Sequence, residues 1–108
     1  MSDFVEAARL DEVPAGTGTT VTVAEKAIAI FNVAGQIYAI DDICPHAGSS
    51  LGNGKLDGRI VTCRSHGMKI DVITGNFPAS EGFAVASYAV MVVNGKIMVA
   101  PEAQAQAT

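Results

Sequence analysis

The sequence Cys44-Pro45-His46 is followed, after sixteen residues, by Cys63-Arg64-Ser65-His66, and these two stretches determine what the rest of the chain must hold. Together they contain both cysteines and both histidines of the 108 residues. Thiolate and imidazole are ligands that softer transition metals prefer. Each stretch offers one sulfur and one nitrogen. The pattern therefore predicts a metal centre held by two arms of the chain, the first arm at residues 44–46 and the second at residues 63–66.

Three other interpretations of these four residues remain open. A disulfide between Cys44 and Cys63 would leave two histidines at fixed offsets unexplained, and no other feature is typical of a secreted protein. A single zinc ion could use the same set, although zinc sites more often pair like ligands, as C-x₂₋₄-C and H-x₃₋₅-H. Unrelated core residues are the third. Cysteine is often buried as a small hydrophobe, but a histidine two residues away in a loop rich in Pro and Gly is not typical of a core.

The spacing C-x-H and C-x-x-H resembles that of the Rieske family, in which two cysteines hold one iron of a [2Fe–2S] cluster and two histidines hold the other. The resemblance continues from Gly67 to Gly75 and covers roughly residues 37–99. It implies one [2Fe–2S] cluster held by Cys44, His46, Cys63 and His66. It also implies a fold of three stacked antiparallel sheets, with a cluster-binding subdomain at about residues 42–80.

The same resemblance gives roles to residues beside the arms. Gly48 and Gly67 are expected to let backbone N–H groups approach the cluster sulfurs, where a Cβ would collide. Pro45 is expected to stiffen the first arm. In the family a loop that contains proline covers the cluster, and Pro78 is the candidate here.

Two departures from the high-potential respiratory members separate this chain from them. Those proteins carry an extra cysteine in each loop, joined as a disulfide, whereas Gly48 or a neighbour and Ser65 stand at the matching positions here. They also place a Ser and a Tyr after the second histidine, where this chain has Met68 and Ile70. Fewer donors to sulfur stabilise the reduced state less. The chain thus resembles the low-potential Rieske ferredoxins that serve bacterial ring-hydroxylating oxygenases.

Length, charge and hydropathy limit the classes of function. A chain of 108 residues fits one domain, expected at residues 1–100 with a flexible tail at 101–108. The net charge of −4 argues against nucleic acid as a partner. Between Cys44 and Gly75, four basic and two acidic residues give +2, so the remainder carries −6. No apolar run approaches the ~20 residues needed to span a bilayer, and no signal peptide is evident, so a cytoplasmic location is expected.

Short runs rich in β-branched residues, separated by Gly, Pro and Asn, predict an all-β domain. Strands are expected over residues 4–8, 19–23, 26–33, 37–40, 59–62, 68–73, 83–85, 88–93 and 96–99. Asn94-Gly95 is the strongest hairpin signal, because these residues tolerate the positive φ angles of a type I′ turn. The segment between the arms is rich in turn residues, with Leu51 and Leu56 as the expected inward anchors.

The function that the resemblance implies is one-electron transfer from a flavin-containing reductase to a terminal oxygenase. Both partners are expected to dock at the His46/His66 end of a monomer. A Rieske-like small subunit of a larger reductase, as in nitrite reductase, is an alternative, and so is a zinc-stabilised binding module. An oxygenase is disfavoured, because its second iron needs further histidines and a further domain.

Overall fold

The computed structural model describes residues 4–44, 48–64, 67–78 and 84–103. These residues form nine strands and one 3₁₀ turn, Leu10–Glu12. The strands are β1 Val5–Arg9, β2 Gly18–Val23, β3 Lys26–Val33, β4 Gln36–Asp41, β5 Lys55–Asp57, β6 Ile60–Thr62, β7 Lys69–Asp71, β8 Ser87–Val93 and β9 Lys96–Ala103. Within this part of the chain no helix has the length and apolar character required to cross a membrane.

The strands make three antiparallel layers, as expected from the resemblance. Hydrogen bonds link six of them in the order β1-β9-β8-β4-β3-β2, and link β5-β6-β7 in a second sheet. The six-stranded sheet divides along β8, where Ser87 and Tyr88 pair with β4 while Val90 to Val93 pair with residues 96–99 of β9, and Tyr88 also pairs with Ala103 at the end of β9. A register shift lies between Tyr88 and Val90, and the edge strands β1 and β2 contact each other. The two halves of this sheet therefore face one another, and the small sheet is the third layer.

Strand β3 is the centre of the molecule because both of its faces are buried. Ile28 and Ile30 point into the core between the two halves of the large sheet, together with Ile97 and Val99. Ala29 and Phe31 point the other way, into the core beneath the small sheet. That second core also contains Ile40, Cys44, Leu51, Val61, Cys63, Ile70, Val72, Phe77 and Val85. We call these two the base core and the cluster-side core.

The hairpin turns have the backbone geometry that right-twisted strands need. Asn94 and Gly95, between β8 and β9, have φ angles of 51° and 76°, as a type I′ turn requires. The β2–β3 connection has positive φ at Ala24 (51°) and Glu25 (67°), although neither residue favours that region. The connection between two well-packed strands therefore imposes its geometry on a turn with no local preference for it.

Four elements differ from the sequence-based expectations. Strand β5 lies in the turn-rich part of the segment between the arms, where no strand was expected, and β7 ends at Asp71 instead of residue 73. The Asp71 carboxylate accepts a hydrogen bond from the backbone N–H of Ile73 at 2.9 Å and turns the chain. The strand expected at 83–85 is reduced to an isolated bridge between Ala84 and Asn76, with Phe83 outside the described residues. Strand β9 continues beyond Val99, whereas the flexible tail expected at 101–108 lies largely outside the described residues.

Candidate metal centre

Each arm begins in a loop of the same construction. In the first, the backbone N–H of Cys44 donates to the carbonyl of Ser49 (2.9 Å), and Gly48 N–H donates back to the Cys44 carbonyl (2.7 Å). In the second, Cys63 N–H donates to the Met68 carbonyl (2.7 Å), and Gly67 N–H donates to the Cys63 carbonyl (3.0 Å). Both loops thus close between a cysteine and the residues four and five positions later.

The glycine that closes each loop is required by its backbone conformation. Gly48 has φ +72° and Gly67 has φ +70°, in the left-handed region that costs other residues about 1–2 kcal/mol. A Cβ added at either position would meet no described protein atom within 4 Å. Among the described residues, the positive φ angle and not a steric clash is therefore what requires glycine at these two positions. The expected collision of a Cβ with cluster sulfur remains a prediction.

The two cysteines share one buried environment. Cys44 has no exposed surface and Cys63 is 1% exposed, and both belong to the cluster-side core. In the part of the chain that the structure describes they are not joined by a disulfide. Strand β4 leads into the first arm and strand β6 into the second. The two thiols therefore pack in the same apolar core although they come from separate hairpins. His46, His66, Pro45 and Ser65 lie outside the described residues.

A buried carboxylate fixes the first arm. Asp42 is 2% exposed and lies two residues before Cys44. Its Oδ1 accepts hydrogen bonds from the hydroxyls of Thr20 (2.8 Å) and Ser50 (2.9 Å) and from the backbone N–H of Gly52 (2.8 Å). Because Thr20 lies on β2 while Ser50 and Gly52 follow the arm loop, the Asp42 carboxylate ties the two ends of the loop to the large sheet. Sequence reasoning missed this role, since Asp42 looks like an ordinary turn residue before the register is known.

A second carboxylate connects the end of β4 to β8. Asp41 accepts hydrogen bonds from the Tyr88 hydroxyl and from the backbone N–H of Ala86 (3.0 Å). Burial raises the pKa of Tyr88 well above its usual range, and the hydrogen bond and negative charge of Asp41 raise it further. The Lys26 ammonium lies 5.5 Å from the centre of the Tyr88 ring. Asp41 thereby links the start of the first arm to the chain that returns from residues 79–83.

The other expected site residues lie around the two loops as follows. Gly67 and Pro78 are exposed, while Met68 is half-buried and packs against the cluster-side core. Phe77, directly before Pro78, is buried in that same core. Ile70 is fully buried there too. Met68 and Ile70 thus present apolar atoms beside the cysteines, and neither can donate a hydrogen bond to sulfur.

Two buried thiols at the start of equivalent loops are a donor set that suits an iron–sulfur cluster, because such clusters are held by thiolates in low-polarity surroundings. Residues 3–100 match the family model of the Rieske [2Fe–2S] domain. The chain belongs to the Rieske family. With the family established, a cysteine disulfide and a coincidental pair of core residues are no longer needed to account for the motif.

Relatives within the Rieske family match this chain over most of its length. The ferredoxin component of the naphthalene 1,2-dioxygenase/salicylate 5-hydroxylase systems of Ralstonia sp. is 34% identical over 103 residues, covering 93% of this chain and 97% of that protein. A chain from the complex of reduced oxygenase and oxidized ferredoxin in carbazole 1,9a-dioxygenase is 30% identical, with a TM-score of 0.85. The match covers 98% of this chain and 100% of that one.

The Rieske fold also extends to proteins with other roles. A protein assigned as the small subunit of an NADH-dependent nitrite reductase from Mycobacterium tuberculosis has a TM-score of 0.86 at 21% identity, covering 96% of this chain and 99% of that one. At that identity the similarity shows the shared fold alone.

Proposed function

We propose that this Rieske protein is a one-electron carrier that passes electrons from a flavin-containing reductase to a terminal oxygenase. The observation that carries the proposal is the full-length similarity to the ferredoxin component of a dioxygenase system, 34% identical over 97% of that protein. The carbazole 1,9a-dioxygenase complex, in which an oxygenase and a ferredoxin are bound together, supports the oxygenase as acceptor.

In this proposal Cys44 and Cys63 hold one iron of a [2Fe–2S] cluster, and His46 and His66 hold the other. When bound, the cluster accepts and releases one electron, and the neutral histidine ligands raise its reduction potential relative to an all-cysteine cluster. The protein keeps the two thiolates in the apolar cluster-side core, away from water. Asp42 and the two loop-closing glycines hold the arms in place.

The two histidines are the proposed point of exchange with both partners. Gly67 and Pro78 are exposed near the arms and Met68 is half-buried. With Pro45 and Ala47 they would form an apolar collar around the two histidines. Electron-transfer complexes are small, typically burying less than about 1,200 Å². A collar of this kind would let a partner approach closely and separate quickly, which suits a shuttle that serves a reductase and an oxygenase in turn.

The cluster assignment is tested by spectroscopy of the purified protein. We expect a brown-red protein whose dithionite-reduced form gives an electron paramagnetic resonance spectrum of a mixed-ligand [2Fe–2S] cluster. Cys44→Ala and His66→Ala should each abolish that spectrum, because ligand and cluster are coupled to folding of the site. A colourless protein containing one zinc ion would refute the proposal, and so would a His66→Ala variant with the wild-type spectrum.

The carrier role is tested by reconstitution. The reduced protein, mixed with the terminal oxygenase of a ring-hydroxylating dioxygenase system, should deliver one electron per molecule in stopped-flow measurements and then accept another from the flavin reductase. The nitrite reductase alternative predicts a different result, namely a stable complex with a large reductase subunit that persists through gel filtration. Recovery of such a complex, with no transfer to any oxygenase, would overturn the carrier role.

A further inference from the structure

The outer face of the small sheet carries a row of basic side chains at the end next to the second arm. Lys55 on β5, Thr62 on β6 and Lys69 on β7 are direct cross-strand neighbours. The Lys69 ammonium donates to the Thr62 hydroxyl at 3.2 Å, which confirms that these side chains share a face. Their strand neighbours Leu56, Val61 and Ile70 point to the opposite face, into the cluster-side core. The packing of this inner face therefore fixes the position of the strands that carry Lys55, Thr62 and Lys69.

Arg64 extends this row to the second arm. The residue follows Cys63 directly, and it lines one open groove together with Lys55, Thr62 and Gly67. Lys55, Arg64 and Lys69 are all exposed. We call these three residues the basic edge.

The basic edge keeps its charge uncompensated among the described residues. The ion pairs found there join Arg9 with Asp11, Arg59 with Asp71, and Lys96 with Glu6, and none includes a member of the basic edge. The carboxylates on the same face of the small sheet, Asp57 and Asp71, are in the next row, away from the arm. Asp71 is also occupied by Arg59, at 2.8 Å.

The sign of this charge is opposite to that of the molecule. The chain as a whole carries −4, so its net charge would repel an acidic surface. Close to the second arm, however, the three cations of the basic edge, which have no ion-pair partner among the described residues, outnumber Asp57 and Asp71, and Arg59 already pairs with Asp71. Salt at physiological strength screens charges beyond about 8 Å, so more remote carboxylates contribute little. The local field therefore favours an anionic group at one side of the cluster end and not at the other.

We propose that the basic edge is an orienting contact for a redox partner whose docking surface carries carboxylate side chains beside its electron-transfer site. The inference rests on the proposed function and adds to it the partner's chemistry and its placement, over the second arm and the small sheet. An acidic surface seated in the groove between Lys55 and Arg64 would bring the partner's electron-transfer site toward the second arm, since Cys63 and Gly67 also line that groove. Such charges set the orientation and rate of encounter more than its final affinity.

A small redox anion can measure the local field with no partner present. The reduced protein is mixed in a stopped-flow instrument with hexacyanoferrate(III), which takes one electron from the cluster and becomes hexacyanoferrate(II). We expect the rate to fall as ionic strength rises, as it does for opposite charges, and the rate with the cation hexaammineruthenium(III) to rise. If salt instead speeds the reaction with hexacyanoferrate(III), the net charge of −4 governs and the proposal is wrong.

Reversing the charge of single lysines tests whether the basic edge is the source of the positive field. Lys55→Glu should slow the reaction with hexacyanoferrate(III) about fourfold at roughly 50 mM ionic strength, an order of magnitude set by a change of two charges at about 12 Å. Lys96→Glu makes the same change of charge at the β8–β9 hairpin, in the other sheet and beside Glu6, and should leave the rate close to wild type. Equal effects from the two variants would overturn the assignment to the basic edge.

The same pair of variants then tests the docking claim with a protein partner. Electron transfer to the terminal oxygenase should be slower in Lys55→Glu than in Lys96→Glu at low salt, and equal in both at high salt. An oxygenase rate insensitive to Lys55→Glu, with the hexacyanoferrate(III) result intact, would refute docking at the basic edge. Failure of the proposed function is distinguishable, because in that case neither the wild type nor either variant would transfer electrons to an oxygenase.

Discussion

At the scale of single residues, the loop-closing glycines have the most specific requirement. Gly48→Ala and Gly67→Ala should each lower the free energy of unfolding by about 1–2 kcal/mol, since alanine at positive φ is strained. Each change should also weaken retention of the proposed cluster, because the carbonyl of Cys44 or Cys63, the proposed ligand in the same loop, accepts the glycine N–H. Urea denaturation and the visible absorbance per protein measure the two effects.

Gly58 offers a matched control for these substitutions. It has φ +62°, and an added Cβ would meet no described atom within 4 Å, yet it lies in the β5–β6 turn away from both cysteines. Gly58→Ala should therefore cost similar stability while leaving the absorbance per protein unchanged. Equal loss of cluster in all three variants would show that the arm glycines act only through global stability.

The raised pKa of Tyr88 predicts that the folded protein loses stability in alkaline solution. Its folded-state pKa is raised above the ordinary value near 10, so the folded protein binds the phenolic proton more tightly than the unfolded chain. That contribution is fully present below pH 10 and declines as the pH rises above it. Urea midpoints measured from pH 8 to pH 11 should fall more steeply for the wild type than for Tyr88→Phe. Parallel curves for the two proteins would contradict this.

At the scale of elements, β3 supplies adjacent residues to two different cores. Phe31 faces the cluster-side core and Ile30 faces the base core, and both are fully buried. Phe31→Leu and Ile30→Val should each destabilise the protein by about 1 kcal/mol, as the removal of buried carbon atoms does. Only Phe31→Leu should also speed the loss of visible absorbance on warming, because its ring packs in the core that contains both cysteines.

Calorimetry can separate these two effects. The unfolding temperatures of the two variants should be similar, while the absorbance of Phe31→Leu should decay at a lower temperature than that of Ile30→Val. If the visible absorbance is lost at the unfolding temperature in both variants, the two cores unfold as one cooperative unit and the prediction is wrong.

The elements that sequence predicted correctly are those with a local signal. The alternation of β-branched residues in β2 and β3 and the Asn94-Gly95 turn are properties of neighbouring residues. Strand β5 was missed because Lys-Leu-Asp has one apolar residue between glycine turns, and it becomes a strand only by pairing with β6. The expected strand at 83–85 failed for the converse reason, since only Ala84 finds a partner among the described residues.

The site shows the same division between local and distant signals. The Cys/His spacing identified the family, because the cysteine and histidine of each arm lie within four residues of sequence. The groups that hold the first arm are not close in sequence, since Thr20 donates its hydrogen bond to Asp42 from 22 residues away. The sequence also showed that residues 44–75 carry a net positive charge. It could not show that Lys55 and Lys69, 14 positions apart, share one row, because the register of the small sheet aligns them.

At the scale of the whole molecule, the surroundings of the arms predict a low reduction potential. The side chains of Met68 and Ile70 provide no donor to sulfur, and the chain has no cysteine besides Cys44 and Cys63 that could join the arm loops by a disulfide. The midpoint should lie at the lower end of the Rieske range, near about −150 mV. Protein-film voltammetry measures it, and a midpoint well above zero would contradict the argument.

A substitution at Met68 tests the cause. A tyrosine at position 70 would also add a hydroxyl, but Ile70 is fully buried and the larger ring would overpack its site. Any change in midpoint potential could then come from structural strain instead of hydrogen bonding. Met68 is only half-buried, so Met68→Ser can add a hydroxyl beside the cysteines without that strain. Its midpoint should rise relative to Met68→Ala, which makes the same cavity with no donor. Equal midpoints for the two variants would exclude hydrogen bonding as the source of the low potential.

The two faces of the small sheet have unequal freedom to change during evolution. Leu56, Val61 and Ile70 on the inner face are committed to the cluster-side core, while Lys55 and Lys69 on the outer face contact solvent. After a gene duplication, substitutions on the outer face can invert its charge with little cost to folding or to the iron site. Two descendants of one such chain could then serve different redox chains in the same cell without cross-talk, while their buried halves stayed interchangeable.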